Sequence, residues 1–258
     1  MMDNQTKICL SREIFCETNL ELKSRMMARP CLLDDNDLVT KSRTPVVKSG
    51  DTSSVQTACD VLSRGGVVAL PTDTIYGICC AVDSTEAINK IYQTKGRSFS
   101  KPLAICVSSV QEIPMCVDVG GAGAILPKLL PGGVTVVLPR SPSLNPALNP
   151  GFPTVGVRVP DHEFVLSLCA AVGGPIALTS ANISNGPNST SIEEFKEIWD
   201  DLDLIVDGGK LPLSVGSTVV EIYDNSFSII RRGRDYDKTI SVLSDQHHLE
   251  NLSSEKSK

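Results

Sequence analysis

From Thr52 onward the apolar positions fall into short runs whose period switches between that of a helix and that of a strand. Val55, Ala58, Cys59 and Leu62 recur at helical spacing with Gly65-Gly66 behind them as a stop, which predicts a helix of about three turns. VVALP and TIYGICCAV, rich in β-formers and separated by the turn-like TDT, predict two strands. Ser84 is placed to cap a second helix through Ala87, Ile88, Ile91 and Tyr92 that closes near Gly96. LAICV then reads as a strand, GAILPKLL as a helix and VTVVL as a strand, followed by a Pro, Asn and Ser loop from Ser141 to Pro153 and the strand VGVRV. A helix opened by Asp161 runs through Val165, Leu168 and Cys169 to Gly173-Gly174, and IAL is a short buried strand. SIEEFKEIW is a helix with Ser191 and Glu194 spaced as a capping box, and LIV, STVVEIY and FSIIR are late strands. Alternating strands and helices that end in clustered strands define one α/β domain over residues 52–235.

The flanks follow a different pattern. Residues 1–51 mix charges and short apolar pieces without a sustained period and end in KSRTPVVKSGDTSS, which reads as a weakly ordered leader. Its acids, among them Asp3, Glu13, Glu17, Glu21 and Asp34, disfavour a mitochondrial presequence, although Arg12, Lys23, Arg25 and Arg29 keep that reading open beside the cytoplasmic one. Residues 236–258 are polar and read as a partly disordered tail.

Composition narrows the function classes. No stretch approaches the roughly 18 apolar residues of a membrane-spanning helix. A net charge of -6 argues against a surface coated for bulk nucleic-acid binding, while leaving room for a local basic cleft. Nine cysteines with no CxxC spacing, and no hydrophobic signal segment at the N-terminus, point to reduced thiols; Cys79, Cys80 and Cys106 lie on apolar strand patterns as small buried hydrophobes. With three histidines, two of them in the tail, a zinc site is not expected. His162 follows Asp161 at a helix start and reads as a cap or packing residue. Nucleotide and hydrolase signatures are missing: there is no GxxxxGK[ST] loop, no completed GxGxxG and no GxSxG elbow.

Small hydroxyl residues and cations instead gather at strand ends. Thr72, Asp73 and Thr74 follow VVALP, and Lys95, Arg97 and Lys101 lie in TKGRSFSKPL between a helix end and a strand, suited to grasping a phosphate chain; taken alone, such a pair also fits a solvated basic loop. Thr179, Ser180 and Asn182 follow a buried strand, where they meet a ligand at the sheet's edge or simply form a capped turn. Arg158 within VGVRV needs an anionic partner, either a ligand or an internal carboxylate. Ser217, Thr218 and Arg231 repeat the pattern.

In their order, PTDTIYG, TKGRSFSKPL, PGGVTVVL, VGVRVPDH, LTSANIS, DGG, GSTVV and IIRRG closely resemble the YrdC-type domain of the threonylcarbamoyl-AMP synthase family, from about Ser54 to Arg234. Each motif is weak by itself, and the order makes the match specific. The resemblance implies a single α/β domain with a twisted mixed sheet around a concave basic cavity, in the short form without a further C-terminal domain. It implies a nucleotidyltransferase that joins L-threonine, bicarbonate and ATP into L-threonylcarbamoyladenylate, releases pyrophosphate, and passes its product to a tRNA threonylcarbamoyl transferase complex that modifies adenosine 37. It places the phosphate-embracing tetrad on Lys95, Arg97, Ser180 and Asn182, and the threonine contacts on Thr74, Arg158, Thr179 and Ser217, with Thr72 a neighbour. Lys101, Thr154, Asn188 and Arg231 join Arg97 and Ser180 toward ATP, and Mg²⁺ enters with the nucleotide rather than on a protein motif. Many members read NPL where this chain has Lys101-Pro102-Leu103, and many have a histidine at Cys106, which removes a donor near the expected threonine pocket. Lys95→Ala or Arg97→Ala is then expected to abolish turnover with the melting temperature nearly intact.

The competing function is a non-catalytic RNA-binding module using the same cavity, which the acidic charge and the lack of an aromatic stacking row disfavour. A carbamoyl-phosphate-dependent transfer domain is the third reading; such domains sit in larger chains with zinc and acylphosphatase modules.

Overall fold

A computed structural model describes residues 44–96, 101–212 and 214–253. The leader up to residue 43, Arg97 and the end of the tail lie outside the described residues. The unit beginning at Arg43 is built on an eleven-stranded mixed sheet. Its elements are β1 Val46–Lys48, α1 Ser54–Ser63, β2 Val68–Leu70, β3 Gly77–Ala81, α2 Thr85–Thr94, β4 Ala104–Cys106 and the short α3 Leu126–Leu129. They continue with β5 Val134–Pro139, β6 Thr154–Arg158, α4 Glu163–Val172, β7 Ile176–Ser180, β8 Leu204–Asp207, β9 Thr218–Ile222, β10 Ser226–Arg231, α5 Tyr236–Ile240 and β11 Glu250–Asn251. Across the sheet the order is β1-β8-β2-β3-β7-β4-β6-β5-β9-β10-β11.

Local chemistry explains the boundaries. The Ser84 hydroxyl accepts a hydrogen bond from Ala87 N at 3.2 Å, occupying a donor that the first turn of α2 leaves unpaired. Gly173 closes α4 in the left-handed region at φ 70°, where a Cβ is costly. His162 stands at the N-cap position of α4, but its ring makes no cap bond. Residues 192–201, expected as an α-helix, form a 3₁₀ segment broken at Phe195. The capping box there is shifted by one residue: Ser191 makes no side-chain cap bond, and Glu194 accepts from Thr190 N at 2.7 Å. GAILPKLL is likewise shorter in helix than its pattern suggests, with a 3₁₀ turn over Gly120–Ala124 ahead of α3.

One face of the sheet is covered by the larger cluster and the other only in part, and alternation along the strands divides the core in two. Ile78 and Cys80 of β3 join the larger cluster beneath α2, with Ala87, Ile88 and Ile91. Cys79 points the other way, into a second cluster with Ala58, Cys59 and Leu62 of α1 and Val165, Leu168 and Cys169 of α4. Burying a side chain such as Leu62 or Leu168 stabilises the fold by about 1.5–3 kcal/mol. That second cluster draws its sheet residues from β8, β2, β3, β7 and β4. The same face continues over β6, β5, β9 and β10 as an open concavity.

At both edges the structure extends past the pattern read from sequence. Val46–Lys48, inside the polar run, forms β1 by pairing parallel with β8, and the Lys48 ammonium pairs with the Asp207 carboxylate. In the stretch read as tail, α5 and a π-helical turn over Ser241–Gln246 put Val242 and Leu243 into the main core, and β11 pairs with β10.

Candidate active site

The concavity has a volume of about 440 Å³, within the ordinary size of a small-molecule pocket. Strand alternation supplies its floor: Thr154, Gly156 and Arg158 of β6, Thr135 and Val137 of β5, and Val219 and Glu221 of β9 all face it. The turn after β2 contributes Thr72 and Thr74, the end of β7 contributes Thr179 and Ser180, and Ser217 and Arg231 close one side.

Arg158 is the most constrained charge. It is buried, its Nη2 donates to Asp73 Oδ1 at 2.8 Å, and the same nitrogen lies 3.4 Å from Thr74 Oγ1. Of the two partners open to it, the internal carboxylate is present, and the arginine still lines the cavity. Its Nε, Asp73 Oδ2 and the Nδ1 of His162 are buried without a hydrogen-bond partner. Thr74 in turn is held by Thr72, whose hydroxyl lies 3.0 Å from the Thr74 hydroxyl and donates to Ile75 O at 2.7 Å. These bonds make the TDT turn a rigid cradle rather than a loose loop.

On the opposite side Arg231 donates through Nη2 to Ser217 O at 2.8 Å and reaches Ser217 Oγ at 3.2 Å; that hydroxyl lies 2.7 Å from Thr135 Oγ1. Burial of the guanidinium, and secondly the charge of Arg158, hold the Arg231 pKa below its ordinary value although the residue as a whole is solvent-exposed. Two guanidiniums that oppose each other's charge across one cavity favour an anion between them.

The tetrad expected from sequence is placed unevenly. Lys95, at the end of α2, is 2% exposed, and its ammonium donates to Ser180 O and Asn182 O, each at 2.6 Å, and to Asn182 Oδ1 at 3.1 Å. Ser180 Oγ donates to the same Asn182 Oδ1 at 2.5 Å, while Asn182 Nδ2 donates to Gly186 O and Pro187 O. Lys95, Ser180 and Asn182 are therefore one network, of which Ser180 lines the cavity. Arg97 lies outside the described residues. Lys101 donates to Asn185 Oδ1, and Asn188 donates to Ser214 O at 2.9 Å; both are exposed and outside the cavity lining. Thr154 and Thr179 line it. Cys106 does not: it is fully buried, with its thiol pushed up to about 12, chiefly by burial.

Three contributors were missed from sequence. Asp73 lies in the TDT turn, and its one signal is the charge of Arg158, which needs an anionic partner. Thr135 and Glu221 were signalled only by polar residues interrupting VTVVL and STVVEIY.

The fold is a mixed α/β sheet whose uncovered half holds a cavity lined by two arginines among strand-end hydroxyls. The chain belongs to the Sua5/YciO/YrdC family, whose model, described as "Telomere recombination", matches residues 60–233. Among its relatives, threonylcarbamoyl-AMP synthase of Rattus norvegicus is 42% identical over 209 residues, 78% of this chain and 75% of that protein. The Homo sapiens protein of the same name is 41% identical over the same shares of both chains. Among solved structures, Pyrococcus abyssi Sua5 complexed with L-threonine superposes with a TM-score of 0.75 at 28% identity, over 84% of this chain. The chain spans 64% of that Sua5 chain's length.

Proposed function

We propose that this chain is an L-threonylcarbamoyladenylate synthase, a nucleotidyltransferase that makes threonylcarbamoyl-AMP and pyrophosphate from L-threonine, bicarbonate and ATP for N6-threonylcarbamoylation of tRNA adenosine 37. The observation that carries the reading is the convergence of Arg158 and Arg231 with Thr74, Thr135 and Ser217 in one cavity of a chain 41–43% identical to proteins of that name.

The chemistry suits a site without a nucleophile. Bicarbonate loses hydroxide to give carbon dioxide, the threonine nitrogen bonds to its carbon, and the proton that nitrogen loses combines with the hydroxide as water, leaving a carbamate. A carbamate oxygen then attacks the α-phosphorus of ATP, the bond from that phosphorus to the bridging oxygen breaks, and pyrophosphate leaves. The protein contributes position and charge. Arg158, fixed by Asp73 at 2.8 Å, presents its guanidinium to the threonine carboxylate beside Thr74. Arg231 and the polar network of Ser180, Asn182 and Lys95 serve the nucleotide. Mg²⁺ would enter this scheme with the ATP substrate and would supply positive charge against its phosphates. Loss of one phosphate-directed cation should cost about 2–4 kcal/mol of transition-state stabilisation, by analogy with a lost oxyanion donor. The product would pass to a tRNA threonylcarbamoyl transferase complex.

The test is pyrophosphate release from ATP and bicarbonate with and without L-threonine. The synthase reading requires release that depends on threonine, and equal release without it overturns the reading.

A further inference from the structure

The cavity is chemically two-sided, and one charged side chain in it has no role in the scheme above. The arginines and hydroxyls gather around Thr74, Arg158, Thr135 and Ser217. Further along the floor the lining turns apolar, with Pro102, Ala104, Val137, Phe152 and Ile230. Within this apolar part stands Glu221. Val137 of β5 is its register partner on one side and Ser228 of β10 on the other, and Val137 is in turn opposite Gly156, itself paired with Ala104. The small residues at Gly156 and Ala104 keep the floor low beside it. From Ser217, just ahead of β9, to Glu221 is four positions, about 13 Å at strand rise.

Glu221 is half-buried at the pocket wall, so its carboxylate is open to a donor brought by a ligand. Glu221 takes part in none of the ion pairs found among the described residues. Tyr223 donates its hydroxyl to Glu221 Oε2 at 2.8 Å, which orients the group and engages one of the roughly four lone-pair sites of an ionised carboxylate. Its negative charge repels triphosphate and threonine carboxylate alike. The part of the bound reactants that is flat, largely apolar and supplied with hydrogen-bond donors is the nucleoside.

Resting on the synthase reading, we propose that Glu221 is a specificity-determining residue that accepts a hydrogen bond from the nucleoside of ATP and so sets which nucleotide the cavity takes. The shared chemistry is a neutral donor, either a ribose hydroxyl or the 6-amino group of adenine. Tyr223 is a positioning residue for it.

The experiment measures equilibrium binding of ATP, 2′-deoxy-ATP, 3′-deoxy-ATP and purine riboside triphosphate to the full chain, without threonine or bicarbonate so that no turnover intervenes. It compares the unaltered protein with Glu221→Ala and the shape-preserving Glu221→Gln, each checked by its melting temperature. Glu221→Ala should weaken ATP about tenfold or more, as for a lost hydrogen bond to a charged group. The loss should vanish for the analogue that lacks the partnered group, which identifies it as ribose or amine. Glu221→Gln should fall between the two, and Tyr223→Phe should weaken ATP by less than Glu221→Ala. ATP binding unchanged in both Glu221 variants, or an equal loss for all four nucleotides, overturns the proposal while leaving the synthase reading intact. Failure of the unaltered chain to bind ATP overturns both.

Discussion

Lys95 shows how one side chain can hold both a site and a fold. Its ammonium supplies the donors for three acceptors, Ser180 O, Asn182 O and Asn182 Oδ1, in a place with 2% exposure. Removing it takes the ammonium donor from Asn182 O, while Ser180 O keeps Asn182 N and Asn182 Oδ1 keeps the Ser180 hydroxyl, and a buried group left unsatisfied costs about 1–3 kcal/mol. The expectation from sequence, activity lost with stability intact, is therefore revised for this residue. Lys95→Ala should lower the urea midpoint measurably as well as turnover, and an unchanged midpoint would return it to a purely ligand-directed role. His162 offers a second measurement. Burial lowers its pKa from 6.5, opposed by the charges of Asp73, Glu163 and Asp161. A depressed folded-state pKa means that the unfolded chain takes up the proton first as pH falls, so stability present above about 6.5 declines below it. Urea midpoints at pH 8 and pH 5.5 should differ in that direction, and His162→Asn should shrink the difference.

Among the elements, the sheet's ability to hold a cavity depends on backbone approach where β9 and β10 converge. A bulge between Ile229 and Arg231 reaims the end of β10, and Arg231 reaches back to Ser217. Just beyond, Gly233 packs so tightly that a Cβ would stand 2.3 Å from Gly216 O and 2.4 Å from Ser217 O, both backbone atoms that cannot swing aside. Gly233→Ala should cost about 1–3 kcal/mol or more by overpacking and displace Ser217, raising KM for threonine more than a surface control does. The motif IIRRG was legible as a string, but nothing in its spacing revealed that its glycine matters because two strands meet there. Conversely the Ser84 cap was legible outright, since a cap is a bond between residues three apart.

For the whole molecule, the domain is wider than its periodic part. β1 pairs with β8, and the segment after Arg234 delivers Val242 and Leu243 to the core and β11 to the sheet's edge. Burial of those two side chains alone is worth about 3–6 kcal/mol, a large share of an ordinary domain's net stability. A fragment of residues 52–235 should consequently melt well below one of residues 44–253 in calorimetry. Equal melting temperatures would mean that both flanks are dispensable.

What the amino-acid order determined by itself was everything carried by near neighbours: the helix of Val55 to Leu62, the strands around VVALP and VTVVL, the turn at Thr72 to Thr74, and the ordered motifs that marked the family. Period, cap and turn are relations over a few residues, and the chain states them directly. Only the tertiary structure decided that Asp73 answers Arg158 across 85 positions of sequence. It alone kept Cys106 out of the cavity lining and brought Glu221 into it, beside Val137. Those facts depend on which strands lie side by side, and the order β4-β6-β5-β9 brings together residues that no local pattern connects.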